Sequence, residues 1–142
     1  MNREEIKKEL PHREPMLLVD ETRIEDGIAI SSYTIPQDAF FVQGHFPGYP
    51  VVPGVILCEI MAQCSCLLIP SEDRKDTTAM YAGLDKVKFK KSVFPGDKVD
   101  VKSKLVGKLG PAIMIESQAS VNGDLCCKGT LTFMLVPNEK LK

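Results

Sequence analysis

The sequence predicts an α+β domain, in which an antiparallel sheet of five to seven strands packs against one central helix. Three observations predict this class: one long apolar segment without helix breakers, runs of alternating apolar and polar residues after it, and turn residues between those runs. The length of 142 residues suits one hydrophobic core. We therefore assign residues 1–142 to a single domain.

The composition excludes several classes of protein. The chain is 44% hydrophobic and 26% charged, which is typical of a soluble globular protein. Its formal net charge of -1 argues against nucleic acid as a partner. The charged residues 1–10 do not suit a secretory signal, and no apolar run reaches the roughly 20 residues of a membrane span. Five cysteines without a metal or redox spacing predict buried, reduced thiols, no metal site and a cytoplasmic protein.

The first half of the chain predicts a short helix, two strands and a long loop. Asn2 stands three residues before Glu5, which is the spacing of a helix cap, and Pro11 ends that segment. Apolar residues then form two runs around a turn that contains Gly27. The strands are expected at 16–24 and 28–35, and a loop rich in glycine and proline at 37–53.

A single segment predicts the long helix. Pro53 and Gly54 precede a run without breakers that continues to Pro70, about 15 residues of helix. Its faces are apolar on nearly all sides, so we expect it to be buried in the middle of the fold. Only strands are predicted after it, and Asn122-Gly123 is the strongest hairpin signal. These strands are expected at 78–91, 98–106, 112–121 and 125–136.

Glu59 is the one formally charged residue between Phe46 and Ser71, and it lies in the predicted helix. Burial of an unpaired carboxylate is costly, so Glu59 would be paired, protonated or directed at a cavity. That makes it a candidate functional residue. The alternative is a narrow solvent-facing stripe shared with Gln63, its i+4 neighbour. The residue pattern leaves both interpretations open.

His45 lies in the loop, where glycines and prolines would hold its ring against a pocket wall, as a general base requires. The alternative is a histidine bonded to the backbone, and His12, beside Pro11, is interpreted as structural. Gly54 offers free N–H groups at the positive end of the helix dipole. With His45 and Glu59 it would complete a base, an acid and an oxyanion site.

A basic stretch lies in the first strand after the long helix. Such lysines usually form a solvated edge face that prevents aggregation. The alternative is a docking surface for an acidic carrier. The candidate docking residues are Lys86, Lys88 and Lys90, which simple alternation places on one strand face.

Two segments, GHFPGYPVVPGV (44–55) and EIMAQ (59–63), closely resemble the signature of a known family. It comprises the (3R)-hydroxyacyl-acyl-carrier-protein dehydratases of bacterial type II fatty acid synthesis, the FabZ type. Other segments similar to that family follow along the chain. They are LPHREPMLLVD (10–20), GLDKVKF (83–89), PGD (95–97) and VNG (121–123).

The resemblance implies a hot-dog fold, an antiparallel sheet wrapped around one long helix, in homodimers or trimers of dimers. It also implies that His45 of one chain faces Glu59 of its partner, so that a monomer would be inactive. The implied reaction converts a (3R)-3-hydroxyacyl thioester on acyl carrier protein to the trans-2-enoyl thioester. No cofactor and no metal are implied.

In this reaction neutral His45 would remove the C2 proton while the Gly54 N–H stabilises charge on the thioester oxygen. Glu59 would protonate the leaving hydroxyl, directly or through water, and Gln63 would orient Glu59 or the departing water. The expected lining of the acyl tunnel is Phe46, Val55 and Phe89, with Tyr49 at its mouth.

Two positions bear on the resemblance. Glu59 favours a plain dehydratase over a related isomerising branch, which usually carries Asp there. Glu14 replaces an aromatic residue often seen before this proline, which removes no catalytic group. The alternatives are a hot-dog acyl thioesterase, an enoyl-CoA hydratase, and a non-catalytic hot-dog protein that binds acyl chains or their carrier.

Overall fold

A computed structural model describes residues 1–141 and confirms the α+β class, with one six-stranded antiparallel sheet and a 12-residue helix. The elements are α1 (Arg3–Ile6), β1 (Glu21–Glu25), β2 (Ile28–Thr34), α2 (Gly54–Ser65), α3 (Ser71–Arg74), β3 (Thr77–Phe89), β4 (Lys98–Leu109), β5 (Ala112–Val121) and β6 (Asp124–Pro137). Short 3-10 helices cover Phe40–Val42, Cys66–Leu68 and Asn138–Leu141. The strand order is β1-β2-β4-β5-β6-β3, so β1 and β3 are the edges.

The core lies between α2 and one face of the sheet. Val99 and Val101 of β4 and Ile113 and Ile115 of β5 are fully buried and alternate with outward-facing neighbours. Alternation with a period of two residues places every second side chain on the helix side. The apolar and polar alternation in the sequence therefore corresponds to the two faces of the sheet.

Helix α2 occupies the predicted segment but is less buried at its N-terminus than expected. Ile60 and Met61 are fully buried, whereas Val55, in the first turn, is 74% exposed in the single chain. The α-helix ends at Ser65 and continues as a 3-10 turn. At that point the Ser65 hydroxyl donates to the carbonyl of Met61, a back-bond that often bends a helix. None of the helices within residues 1–141 is long and apolar enough to cross a membrane.

The first strand begins later than the sequence predicted, at Glu21 instead of residue 16. The reason is that the preceding backbone bonds to a side chain of α2 and not to a strand. Gln63 accepts from the Leu18 N–H at 2.7 Å and donates to the Met16 carbonyl at 2.8 Å. The ladder starts where the Asp20 N–H donates to the Ser32 carbonyl. A side chain 45 residues away therefore replaces the expected strand partner.

The N-terminal helix is capped as predicted, since Asn2 and Glu5 form a reciprocal capping box. It is only one turn long, and its Arg3 reaches across to the segment before β1. The Arg3 guanidinium donates to Asp20 at 2.8 Å and to Glu14 at 3.0 Å. The helix thus holds the same segment that Gln63 binds from the other side.

Glu14 provides a pH-dependent part of this attachment. A hydrogen bond from its backbone, with those from Arg3 and Lys7, lowers the pKa of Glu14 from 4.5 to about 2. A carboxyl whose pKa is lower in the folded state stabilises the fold above its unfolded pKa and loses that contribution as the pH falls. Between pH 4.5 and about 2, we expect the free energy of unfolding to depend less on pH in Glu14→Gln than in the wild type. Urea unfolding at several pH values measures this free energy, and the same pH dependence in both proteins would contradict the prediction.

The hairpin predicted at Asn122-Gly123 is confirmed between β5 and β6. Both residues have positive φ, 50° for Asn122 and 85° for Gly123. Two-residue hairpins of the tightest kind require this conformation, which asparagine and glycine tolerate best. Val121 pairs with Asp124 across the turn.

Candidate active site

Glu59 lies on α2 with a side chain that is 24% exposed, and a neighbour holds its carboxylate in place. Gln63, one helical turn later, donates its amide N–H to Glu59 Oε2 at 2.9 Å. Gln63 is itself almost fully buried and is fixed by the backbone of Met16 and Leu18. Glu59 and Gln63, which the sequence also allowed to be a solvent-facing stripe, therefore form a fixed pair. The other carboxylate oxygen, Glu59 Oε1, has no hydrogen-bond partner among residues 1–141 and is not buried.

His12 also approaches this carboxylate, which the sequence did not predict. Its Nε2 lies 3.6 Å from Glu59 Oε2, and its Nδ1 is buried without a hydrogen-bond partner within residues 1–141. His12 and Glu59 are 47 positions apart, so no local periodicity links them. The one available signal was that His12 lies inside a segment similar to the family.

His45 has a defined tautomer. Its Nδ1 lies 2.7 Å from the carbonyl oxygen of Val51, and a carbonyl only accepts, so Nδ1 carries the proton. In the neutral ring Nε2 is then a free lone pair, which is the form that a general base needs. The two interpretations of His45, a general base and a histidine bonded to the backbone, are therefore compatible, because the bond to Val51 leaves the other ring nitrogen available.

The loop around His45 is held in an unusual conformation. Phe46 has φ of 50°, a left-handed value that a large non-glycine side chain rarely adopts. Its ring packs on the His45 ring with centroids 4.2 Å apart, and its carbonyl accepts from the Tyr49 N–H at 2.7 Å. Such backbone strain concentrates at functional sites, where the surrounding structure maintains it.

Gly54 opens α2 with Pro53 as the residue before it. No acceptor within residues 1–141 binds its N–H, as is usual for the first turn of a helix. A Cβ at this position would lie 2.8 Å from the Phe89 ring, so glycine is what allows β3 and α2 to approach here. The free N–H and the Phe89 ring are therefore neighbours.

The single chain does not bring every predicted site residue together. The polar contacts of Glu59 are with Gln63 and His12, and the polar contact of His45 is with Val51. The four residues expected to line an acyl tunnel are each more than half exposed. They are Phe46, Tyr49, Val55 and Phe89.

The lysines are arranged differently from the simple alternation expected. A β-bulge separates Asp85 from Lys88, and Lys86 within it has φ of 53°. Lys90 lies beyond the end of β3 and does not line the groove that Lys86 and Lys88 share. The bulge and the end of the strand interrupt the simple alternation, and the assignment of these three lysines to carrier docking stays a prediction.

That groove has a volume of about 630 Å³ and lies on the sheet face that carries the outward side chains. Lys88 stands directly opposite Lys128 in the ladder, although like charges in that position repel. None of the lysines that line the groove forms an ion pair within residues 1–141. Five lysines and one carboxylate line it, namely Lys86, Lys88, Lys102, Lys104, Lys128 and Glu116.

All five cysteines are free and buried, as expected. Burial raises the pKa of the Cys66 thiol to about 12 and also raises the pKa of Cys64. A hydrogen bond between Cys58 and Cys127 lowers the pKa of the first and raises that of the second. Within residues 1–141, no three His, Cys, Asp or Glu side chains converge as a metal-ligand set.

Comparison with known proteins identifies the family. The family model of the FabA-like domain matches residues 10–130. The chain is 46% identical over 139 residues, 95% of each protein, to the 3-hydroxyacyl-acyl-carrier-protein dehydratase FabZ of Lactococcus lactis subsp. cremoris (strain MG1363). The chain belongs to the FabZ dehydratase family. The FabZ of Streptococcus gordonii is 45% identical over 92% of this chain and 94% of its own length.

Solved structures share the fold of this FabZ-family chain. The dehydratase heterocomplex ApeI:P from Xenorhabdus doucetiae superposes with a TM-score of 0.77 at 23% identity, covering 95% of this chain and 92% of that one. A mutant of the fluoroacetyl-CoA-specific thioesterase FlK superposes with a TM-score of 0.68 at 16% identity, covering 86% of this chain and 93% of that one. At these identities the likeness concerns the fold alone, and it confirms the expected hot-dog architecture. Dehydratases and thioesterases share this fold, so sequence, not fold, assigns the chain to FabZ.

Proposed function

We propose that this FabZ-family chain removes water from (3R)-3-hydroxyacyl thioesters on acyl carrier protein to form trans-2-enoyl thioesters in fatty acid elongation, in the cytoplasm. The observation that carries the mechanism is the held Glu59 carboxylate, with one free oxygen, on the helix that opens at the free N–H of Gly54. The FabZ relatives support the substrate class. Five free thiols are consistent with a reducing compartment.

His45 is the proposed base of the reaction. The carbonyl of Val51 fixes the proton on Nδ1, so that Nε2 takes the proton from C2 of the substrate. Removal of that proton places negative charge on the thioester oxygen. The N–H of Gly54, at the positive end of the α2 dipole, is free to donate to this oxygen.

Glu59 is the proposed acid. The 3-hydroxyl is a poor leaving group until it gains a proton, which Glu59 delivers as the C3–O bond breaks and water leaves. Gln63 keeps the carboxyl group in place through its bond to Oε2. The cycle closes when the C2 proton passes from His45 back to Glu59 through water.

We further propose that a second copy of the chain completes each site, with His45 of one chain facing Glu59 of its partner. Strand β3 supports this, because it is an edge strand of 13 residues whose apolar side chains are largely exposed. A long exposed apolar edge is prone to pair with another chain. These side chains are Met80, Tyr81, Leu84 and Phe89.

The acyl chain needs an apolar channel, which the single chain does not enclose. The exposed residues Phe46, Val55 and Phe89, with Tyr49 further out, supply the apolar surface that a partner copy would cover. Burial of such side chains at an interface is favourable, at about 25 cal/mol per Å² of apolar surface. We assign these four residues to the acyl tunnel of the dimer or of a trimer of dimers.

The deciding experiment is incubation of the purified protein with (3R)-3-hydroxybutyryl carrier protein, followed by mass spectrometry of the intact thioester. Loss of one water by the wild type supports the dehydratase. Release of free carrier thiol would instead indicate a thioesterase. An unchanged thioester, with longer hydroxyacyl chains also unchanged, would contradict catalysis and leave a binding protein.

The basic groove is the proposed docking surface for the acidic carrier, with Lys86 and Lys88 at its edge and Lys90 beyond it. Unpaired cations in a groove attract an acidic partner and increase its association rate. We expect Lys86→Glu/Lys88→Glu to raise KM for the carrier-bound substrate about tenfold. The KM for the same acyl group on a short pantetheine thiol is expected to stay unchanged.

Two variants control this experiment. Lys90→Glu tests the sequence-based prediction that Lys90 takes part in docking. We expect it to raise KM less than Lys86→Glu/Lys88→Glu does, since Lys90 does not line the groove. Lys140→Glu makes the same charge change at an exposed residue of the C-terminal 3-10 helix and should leave both KM values unchanged. Equal losses with carrier-bound and pantetheine substrates would contradict carrier docking at the groove.

A further inference from the structure

The carboxylate of Glu59 has two polar neighbours, and the mechanism above uses only one of them. Gln63 donates to Oε2 at 2.9 Å, and His12 places Nε2 3.6 Å from the same oxygen. The His12 side chain is 31% exposed and belongs to the segment between α1 and β1. The His12 ring makes no hydrogen bond within residues 1–141, so the contact with Glu59 is its one close polar contact there.

The buried Nδ1 atom of His12 decides which tautomer fits the site. A buried N–H without an acceptor costs more than a bare lone pair, because a donor that has lost water keeps its full desolvation penalty. Nδ1 has no partner within residues 1–141, so the neutral ring carries its proton on Nε2. That Nε2 atom lies 3.6 Å from Glu59 Oε2.

We propose that His12 is a positioning residue that holds Glu59 Oε2 together with Gln63, so that Oε1 is the oxygen that transfers the proton. This rests on the function proposed above. The distance of 3.6 Å is longer than a hydrogen bond, and catalytic hydrogen bonds of unliganded sites are often long and shorten when substrate binds. In this role His12 acts on the reaction only through Glu59, whose Oε2 lies 3.6 Å from its Nε2.

The two donors determine where the acid proton sits. An oxygen that accepts two N–H groups acts as the carbonyl oxygen of a neutral carboxyl, so the O–H forms on the other oxygen. Oε1 has no hydrogen-bond partner within residues 1–141 and is not buried, so it is open to the 3-hydroxyl. The proton then moves from Oε1 to the hydroxyl oxygen, the C3–O bond breaks, and Oε2 keeps its two donors.

Arg13 provides a matched control, because it shapes the same segment without contacting Glu59. Its guanidinium donates to the carbonyls of Lys7, Leu10 and His12 at 3.0, 2.9 and 2.7 Å. Loss of these bonds loosens the segment around His12. If His12 were only structural, a variant at Arg13 and a variant at His12 would have the same kinetic effect.

Steady-state kinetics on (3R)-3-hydroxybutyryl carrier protein test the proposal with three variants. His12→Leu removes the donor and is expected to lower kcat about tenfold to a hundredfold with little change in KM, as for residues that orient a reacting group. His12→Gln restores an N–H donor and is expected to recover most of kcat. Arg13→Gln is expected to lower the melting temperature with a smaller effect on kcat. Equal kcat losses in the Leu and Gln variants, or wild-type kcat in His12→Leu, would overturn the proposal.

A spectroscopic measurement on the whole protein separates this proposal from the proposed function. Two-bond ¹H–¹⁵N correlation spectra identify the tautomer of each histidine, and His12 is expected to carry its proton on Nε2. Glu59→Gln is expected to shift that Nε2–H signal, and an Nδ1-protonated His12 would overturn the positioning role. If the His12 spectrum is as expected but the protein removes no water, the contact between His12 and Glu59 is supported and the proposed dehydratase activity is refuted.

Discussion

His45→Ala is expected to lower kcat for water loss by about 10²–10⁴-fold, the usual contribution of a positioned general base. The reason is the fixed tautomer, since the carbonyl of Val51 accepts a hydrogen bond from the Nδ1–H group and Nε2 is left as the ring nitrogen with a free lone pair. Within residues 1–141 the one hydrogen bond of the ring is with the backbone of Val51, so no neighbouring side chain is bonded to it as a replacement base. Stopped reactions analysed by mass spectrometry measure the rate of water loss.

His45→Phe is the matched control for packing in this experiment. It preserves a ring that stacks on Phe46 while it removes both nitrogens. We expect this variant to be as inactive as His45→Ala, and both to keep the wild-type melting temperature to within a few degrees. A His45→Phe variant with near wild-type kcat would show that the ring acts by packing and would refute the assignment of the base.

Much of the fold was predictable because its causes are local. The Asn122-Gly123 hairpin, the capping box of Asn2 and the helix after Pro53 each depend on a few consecutive residues. Their conformations follow from backbone preferences and short-range hydrogen bonds. The sheet strands followed from alternation, which is also a property of neighbouring residues.

Where the sequence-based prediction of the fold differs from the structure, the causes are non-local. Residues 16–20 satisfy the pattern of a strand, but the buried amide of Gln63 occupies their backbone groups. The bulge at Lys86 depends on how β3 pairs with β6, where Gly129 packs against Val87. Neither cause is visible in the alternation of the strand itself, so the strand start was misassigned and the bulge at Lys86 was not predicted.

The candidate site was predictable in its residue types and not in its geometry. An isolated carboxylate on an apolar helix and a histidine in a proline-rich loop identified Glu59 and His45 as candidates. The sequence did not indicate that His12 lies beside Glu59, or that one carboxylate oxygen is held and the other free. These details depend on the packing of the N-terminal segment against α2 and therefore require the structure.

Mixing His45→Ala with Glu59→Gln chains is expected to restore activity from two inactive proteins. Glu59→Gln keeps an oxygen that accepts from Gln63 but has no proton to transfer, so its fold should be retained. If each site takes His45 from one chain and Glu59 from the other, every mixed dimer has one intact site. Random pairing of equal amounts then restores about a quarter of the wild-type sites. Co-expression and assay of water loss measure this fraction.

A second mixture excludes simple stabilisation of one variant by the other. The double variant His45→Ala/Glu59→Gln, mixed in equal amount with the wild type, inactivates both sites of every mixed dimer when the sites are shared. Only wild-type homodimers then work, about a quarter of all sites, whereas sites contained within one chain would leave about half. A restored fraction near zero in the first mixture, together with half activity in the second, would refute the shared site. A quarter in both mixtures would establish that each site takes His45 from one chain and Glu59, with the carboxylate oxygen that the single chain leaves free, from its partner.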